Sequence, residues 1–379
     1  MDKPTVQDIF HRFYPAYLDQ YSPSPVQAKV AHNIMNCKTG AYGANVCVCE
    51  DCGFVQIHYN SCRNRCCPMC QAVPKEMWMD ARREDVLDAP YFHLVFTVPD
   101  ILNPVIYSNQ RLLYDALYHA ASSTISELTA DPKHLGAKVG YICILHTWGS
   151  EMNFHPHIHT ILLGGGLASN NQWKDNGENF FLPIRVISKM FRGKYLEELK
   201  RLWEEDKLVF HGTAEKFRNH YTFKELLDSC YGMDWIPHCK KTFNGAQTVI
   251  KYLGKYTHRI AVSNHRIVRM DDDTVTFLVK DYRNEGQWKE LTISGVEFVR
   301  RFLMHVPPRR FVRIRHYGLL CSRTKSQKLT LCRNLLGCKK YLSKLRDMEM
   351  PEILEHLYGI KVCVCKACGG HLGKPQMRM

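Results

Sequence analysis

The sequence predicts an α+β fold: an antiparallel sheet with flanking helices, a zinc-binding module before it and a basic region after it. Three observations carry this. "KVGYICILHTWG" and "FHPHIHTILLGGG" are apolar or alternating runs separated only by "SEMN", a hairpin-length connection, so the strands are antiparallel. Mostly helical stretches lie before and after that hairpin. Many of the cysteines cluster, between Cys37 and Cys70 and between Cys363 and Cys368.

Residues 1–36 read as one or two amphipathic helices, with Phe10, Phe13, Tyr14, Tyr17 and Tyr21 as core rings. After the first cysteine block, "YFHLVFTVP" (Tyr91 to Pro99) is a β-branched and aromatic strand stopped by proline. Asn103 to Leu128 reads as one helix. From Leu167 to Cys239 the chain is mostly helical, with "LPIRVISKMFRGKYLEELKRLWEED" the clearest member, and "GAQTVIKYLGKYTHRIA" is a further helix. "RIVRMDDDTVTFLVKDY" and "WKELTIS" form a β-meander around an acidic turn. The expected division is 1–75 (helical and zinc-binding), 76–262 (a core holding the hairpin, helical insertion about 167–240) and 263–379 (meander, basic region, second cysteine cluster).

The 379 residues, 45% hydrophobic and 23% charged, describe a globular chain with room for two or three domains. No window approaches a membrane helix and "MDKPTVQDIF" is no signal peptide, so a cytoplasmic protein without a membrane partner is expected. In that reducing setting 17 cysteines point to metal ligation rather than disulfides. The net charge of +14 is uneven: Phe298 to Arg346 holds 14 Lys or Arg and no Asp or Glu. A solvated basic face is the plain alternative, but such a segment opposes compaction unless a polyanion neutralises it, and nucleic acid is the natural partner. Arg309, Arg310, Arg313 and Arg315 are its candidate DNA contacts.

Cys49-x2-Cys52 and Cys67-x2-Cys70 are two knuckles, each able to give two thiolates to one tetrahedral Zn²⁺. Cys37, Cys47, Cys62 and Cys66, alone or with His32 or His58, are candidates for a second site; the alternative is buried apolar cysteine. "CRNR" adds Arg63 and Arg65 as DNA contacts. Cys363, Cys365 and Cys368 offer three more zinc ligands, with His371, Cys321, Cys332 or Cys338 to complete the set.

In "HPHIH", alternation places His155, His157 and His159 on one strand face. Neighbours two apart lie roughly 6–7 Å apart at Cα and can share an ion, whereas the outer two are roughly 13 Å apart. His157 and His159 are therefore the metal pair, with His155 flanking them unless Pro156 bulges the strand. No carboxylate follows at close spacing, which disfavours a hydrolytic metalloenzyme and favours a side-chain nucleophile. "VIKYLGKYTHR" supplies Tyr252 and Tyr256 at i, i+4 on one helix face. Such a pair is ordinarily packing, but here Lys251, Lys255, His258 and Arg259 surround it. A phenol of pKa about 10 needs nearby cations or a metal to attack as phenolate.

The combination resembles the HUH endonucleases, named for His-hydrophobe-His, and specifically the two-tyrosine transposases of rolling-circle insertion sequences (the insertion-sequence-ninety-one family). The resemblance spans nearly the whole chain, through "YNSCRNRCCPMCQ", "HLVFTVPD", "HPHIHTILLGGGL", "YLGKYTHRIAVSNHRI", "VTFLVKDYR" and "RRFLMHVPPRRFVRIRHYGLL". It departs at Cys66, where the family usually has His. The resemblance implies an HUH core in which His157 and His159 hold Mg²⁺ or Mn²⁺, with His155, His146 or Gln247 as a third ligand. It also implies that Tyr252 or Tyr256 attacks single-stranded DNA at the transposon ends, leaving a 5′-phosphotyrosine and a free 3′-OH. The other tyrosine would then join the target DNA, and the setting would be the bacterial nucleoid. Its competitors are a rolling-circle replication initiator or relaxase with the same chemistry, and a non-catalytic zinc-ribbon DNA-binding protein.

Overall fold

A computed structural model describes residues 3–175, 182–235, 237–243, 249, 254, 261–281, 284–373 and 377–378. The chain opens with helices Val6–Gln20 and Pro25–Met35, each started by a reciprocal capping box, Thr5 with Asp8 and Ser24 with Gln27. Strands follow as β1 (Ala44–Val48), β2 (Val55–Tyr59), β3 (Tyr91–Thr97), β4 (Lys138–Trp148), β5 (Phe154–Leu167), β6 (Trp173–Asp175), β7 (His238–Phe243), β8 (Ile267–Met270), β9 (Thr274–Asp281), β10 (Gln287–Ser294), β11 (Ile314–Gly318) and β12 (Met377–Arg378).

The central sheet runs β11-β4-β5-β3-β7, with β6 paired to the end of β5, and every pairing is antiparallel. The fold is α+β, as the hairpin predicts. Both faces of the sheet are covered, which is why its middle strands read as near-continuous apolar runs. Phe92, Leu94, Phe96, Cys143, Leu145, Ile158 and Leu162 point to a core shared with helices Gln110–Ala130, Ile184–Glu204 and His220–Gly232. The alternate residues Tyr91, Ile142, Ile144, Ile161 and Leu163 pack instead with Met79 of helix Ala72–Arg83, with Val249, and with Leu329 and Cys332 of helix Lys325–Leu336.

Three expectations are modified. The helix expected from Asn103 to Leu128 breaks at Asn109, whose side chain bonds the Val105 and Val209 carbonyls and accepts from the Val209 amide. Within the expected insertion, helices Ile184–Glu204 and His220–Gly232 pack in the main core, and β7 (His238–Phe243), a strand not anticipated, follows them. The division at 75 and 262 is not how the chain packs. The first two helices share one core with the meander β8-β9-β10 and helix Gly295–Met304, and the Phe10 ring meets Phe302 edge-on at 5.2 Å. β11, from the same C-terminal third, joins the central sheet instead.

Candidate active site

β5 runs through the middle of the sheet, so its odd-numbered residues are held on one face by partners on both sides. Across β4, His146 lies opposite His157 and Ile144 opposite His159. Side chains directly opposite share a face, so the hairpin register alone brings a third imidazole to the pair. The ligand nitrogens of His146, His157 and His159 lie within 4.8 Å of one another, and all three side chains are buried.

Their outer contacts orient the rings. The Nδ1–H of His157 donates to the His155 carbonyl at 2.7 Å, which turns its Nε2 lone pair inward, 3.0 Å from Nε2 of His159. Nδ1 of His159 in turn meets Nε2 of His93 on β3 at 2.9 Å. If His93 accepts there, two unprotonated Nε2 atoms face each other, an arrangement that a shared cation satisfies. Burial pushes the His157 pKa down to about 4, and burial with the neighbouring His146, His157 and His93 holds His159 well below the usual range. Both are neutral ligands at physiological pH. The donor set is all nitrogen: among the described residues no carboxylate joins it. Three imidazoles suit a transition ion, and of the expected pair Mn²⁺ matches them better than Mg²⁺, which prefers oxygen.

His155 stands apart from the triad. From His146 to Trp148 β4 advances two residues while β5 advances three, from His157 back to Phe154, so His155 and Pro156 form a bulge. Pro156 has no N–H for the ladder, which is the local cause. The bulge leaves the His155 ring partly exposed, with Nδ1 3.2 Å from Asp100. Gln247, Tyr252, Tyr256, Lys251, Lys255 and Arg259 lie outside the described residues. The described positions among them are Val249, buried in the same apolar cluster as Ile144 and Ile161, and Gly254, also helical. A Cβ on Gly254 would fall 1.9 Å from the Met79 sulfur, so glycine permits close approach to helix Ala72–Arg83.

The zinc knuckles pair differently from the expectation. Cys67 and Cys70 converge with Cys37 and Cys62, while Cys49 and Cys52 converge with Cys365 and Cys368. The reason is the β1–β2 hairpin. Ala44 opposite Tyr59 marks its base and Val48 opposite Val55 its tip, so the two knuckles sit roughly 13 Å apart along the strands, beyond reach of one ion. In the first cluster, hydrogen bonds from the Cys62 and Cys67 thiols hold Cys70 well below the usual thiol range. The same contacts and burial push Cys67 above it. Cys47, Cys66 and Cys363 are in neither cluster. Burial pushes the Cys66 thiol up to about 11, against the pull of Arg313 and Arg65.

The basic candidates divide as well. Arg63, Arg309 and Arg310 are exposed. Arg65 donates to the Phe311 and Pro308 carbonyls, tying the cysteine block to the basic loop. Arg315 pairs with Asp115 and lies 4.0 Å over the Tyr118 ring, and Arg313 is partly buried next to Cys66. Arg65 and Arg315 thus have structural partners within the chain. His93, buried beside His159, is a site residue whose sequence signal was a lone histidine at an alternate position of an apolar strand.

Comparison with known proteins places this architecture. Residues 9–98 match the family "Transposase zinc-binding domain" and residues 140–328 the family "Putative transposase", so the zinc module and the histidine sheet both have transposase counterparts. The chain belongs to the insertion-sequence-ninety-one family of transposases. It is 40% identical over 369 residues, 96% of this chain and 93% of the other, to "Putative transposase y4qJ" of Sinorhizobium fredii (strain NBRC 101917 / NGR234). It is 30% identical over 309 residues, 80% and 72% of the two chains, to the transposase for insertion sequence element IS801 of Pseudomonas savastanoi pv. phaseolicola. Among solved structures, the conjugative relaxase TrwC in complex with oriT DNA, metal-free, aligns over 43% of this chain and 71% of that one. Identity there is 12% and the TM-score 0.25, a likeness too distant to support a shared mechanism. Among the described residues no helix is long and apolar enough to cross a membrane.

Proposed function

We propose that this transposase cuts and rejoins single-stranded DNA at the ends of its element by tyrosine attack, through a covalent 5′-phosphotyrosine. The observation that carries the reading is the convergence of three buried imidazoles, with His157 and His159 neutral, on the sheet face whose apolar cluster includes Val249, three residues before Tyr252. His146, His157 and His159 would hold Mn²⁺ or Mg²⁺, which when bound supplies Lewis-acid polarisation of the scissile phosphate. The phenolic oxygen of Tyr252 or Tyr256, giving up its proton, attacks the phosphorus, the P–O3′ bond breaks, and the departing 3′ oxygen takes up a proton to become a free hydroxyl. No water enters and the phosphodiester's energy is kept in the phosphotyrosine, so the reverse attack by a 3′-OH rejoins the strand. The second tyrosine provides for a second strand transfer. Exposed Arg309, Arg310 and Arg63 contact DNA phosphates.

The test uses 5′- and 3′-labelled single-stranded oligonucleotides carrying the element's ends, resolved on a denaturing gel. Wild type with Mn²⁺ gives a protein–DNA adduct on the fragment bearing the new 5′ end. EDTA and the Tyr252→Phe/Tyr256→Phe double variant abolish it, and the single variants show which tyrosine attacks first. Tight binding of cognate ends with no adduct in any metal overturns the reading in favour of a non-catalytic DNA-binding protein.

A further inference from the structure

Two of the clustered thiols, Cys365 and Cys368, lie beyond both family matches, which end at residues 98 and 328. Their partners, Cys49 and Cys52, lie inside the zinc-binding domain but 313 to 319 residues earlier in the chain. We infer that these four cysteines form a second structural zinc site, a ribbon assembled from one knuckle near each end of the chain.

The distances fit a tetrathiolate. Zn–S bonds of about 2.3 Å in a tetrahedron put the sulfurs about 3.8 Å apart. The Sγ atoms of Cys49 and Cys368 are 3.5 Å apart and those of Cys52 and Cys365 3.8 Å, well beyond the ~2.05 Å of a disulfide. The other cluster shows the same edge, 3.8 Å between Cys62 and Cys70.

The two knuckles are also built alike. Each reads C-x2-C-G, and each glycine takes positive φ, +70° at Gly53 and +78° at Gly369. The Gly53 amide donates to the Cys49 carbonyl at 3.1 Å, and the Gly369 amide to that of Cys365 at 3.0 Å. Each knuckle's first cysteine amide closes the turn, Cys49 to the Phe54 carbonyl and Cys365 to that of Gly370. Amides of Ala367 and Gly370 point at the Cys365 and Cys368 sulfurs, as thiolate ligands require. Two knuckles with one backbone pattern, facing each other across four sulfurs, are the construction of a zinc ribbon.

The surrounding strands dock the halves. β12 pairs antiparallel with β1, the Glu50 amide donates to the His371 carbonyl and the Gly373 amide to that of Val48. A Cβ on Gly370 would fall 1.7 Å from an Asp51 carboxylate oxygen, so the knuckles touch backbone to side chain with nothing between. On binding, Zn²⁺ displaces the thiol protons to solvent, leaving a ZnS₄ unit. Cys363, exposed and outside the four, is not a ligand.

The experiment is a zinc count by plasma mass spectrometry on the full chain, dialysed against metal-free buffer. The Cys365→Ser/Cys368→Ser variant is expected to hold one zinc fewer than wild type, and Cys363→Ser as many as wild type. A double variant with the zinc content of wild type overturns the assignment. Should that variant fail to fold, differential alkylation of wild type decides. With zinc bound, exposed Cys52 and Cys368 are expected to stay unreactive while exposed Cys363 is modified, and a chelator releases Cys49, Cys52, Cys365 and Cys368 together. Modification of Cys368 at the Cys363 rate without chelator refutes the site.

Discussion

If the exposed arginines of the basic loop contact DNA and the partnered ones do not, Arg309→Gln/Arg310→Gln and Arg315→Gln separate cleanly. Arg309 and Arg310 are both exposed and carry no ion pair among the described residues, so each is available to a phosphate. On single strands each neutralised phosphate contributes about 0.7 to the slope of log affinity against log salt, so removing two lowers the slope by about 1.4. Over a fourfold rise in salt, from 50 to 200 mM, that is about sevenfold less loss of affinity than in wild type. Arg315 is committed to Asp115 and to the faces of Tyr118 and Phe311, 4.0 and 5.2 Å from its guanidinium. Its replacement by Gln should cost about 1–2 kcal/mol of stability through the lost pair and ring contacts. It should leave the salt slope where it was. Fluorescence anisotropy with a labelled oligonucleotide across that salt range measures the slopes, and urea unfolding the stability. An unchanged slope in the Arg309/Arg310 variant, or an equal fall in Arg315→Gln, refutes the division.

Two further outcomes follow from the histidines. His93→Phe removes the group facing Nδ1 of His159; calorimetric titration should show Mn²⁺ binding weakened about 10–100-fold, and unaltered affinity would show that His93 does not orient the ligand. His305, buried between Thr147 and the Met152 carbonyl, has its pKa pushed down to about 4 by burial. The native state therefore binds fewer protons there than the unfolded chain, whose histidine titrates near 6.5. Stability is fully present above pH 6.5 and falls as the pH drops towards 4, by about 3 kcal/mol from this residue alone. Urea midpoints for wild type and His305→Gln between pH 7 and 4 should diverge accordingly; parallel curves would remove His305 as the cause.

What was legible in the sequence followed from short-range periodicity. The hairpin, the meander, the His157–His159 pair and the flanking helices are local patterns, and the structure has each of them. The third imidazole was not decidable because its identity depends on register. The bulge at His155 and Pro156 sets His146 opposite His157, and nothing in the spacing of "SEMN" reveals that extra residue. Zinc partners were misassigned for a related reason. C-x2-C fixes which two thiols act together but not which other pair they meet, and the hairpin's length kept the nearest pair out of reach. Arg315 read as part of a uniform basic stretch and Arg65 as part of the basic "CRNR" segment, because Asp115 and the Pro308 and Phe311 carbonyls become their neighbours only through the fold. Gln247 and both tyrosines lie outside the described residues, so their reading still rests on sequence.

The pairing of Cys52 with Cys365 also imposes an order in time. The two are 313 residues apart, so a ribosome adding 5–20 residues per second makes the second knuckle roughly 15–60 s after the first. Throughout that interval Cys49 and Cys52 are nascent-chain thiols without their partners, and the edge of β1 lacks β12. A transcript interrupted before codon 365 yields histidine strand, tyrosines and basic loop, yet never this closure. Synthesis through Cys368 is thereby written into the fold of the zinc module, and a chain cut short before that residue is physically distinguishable from one that has passed it.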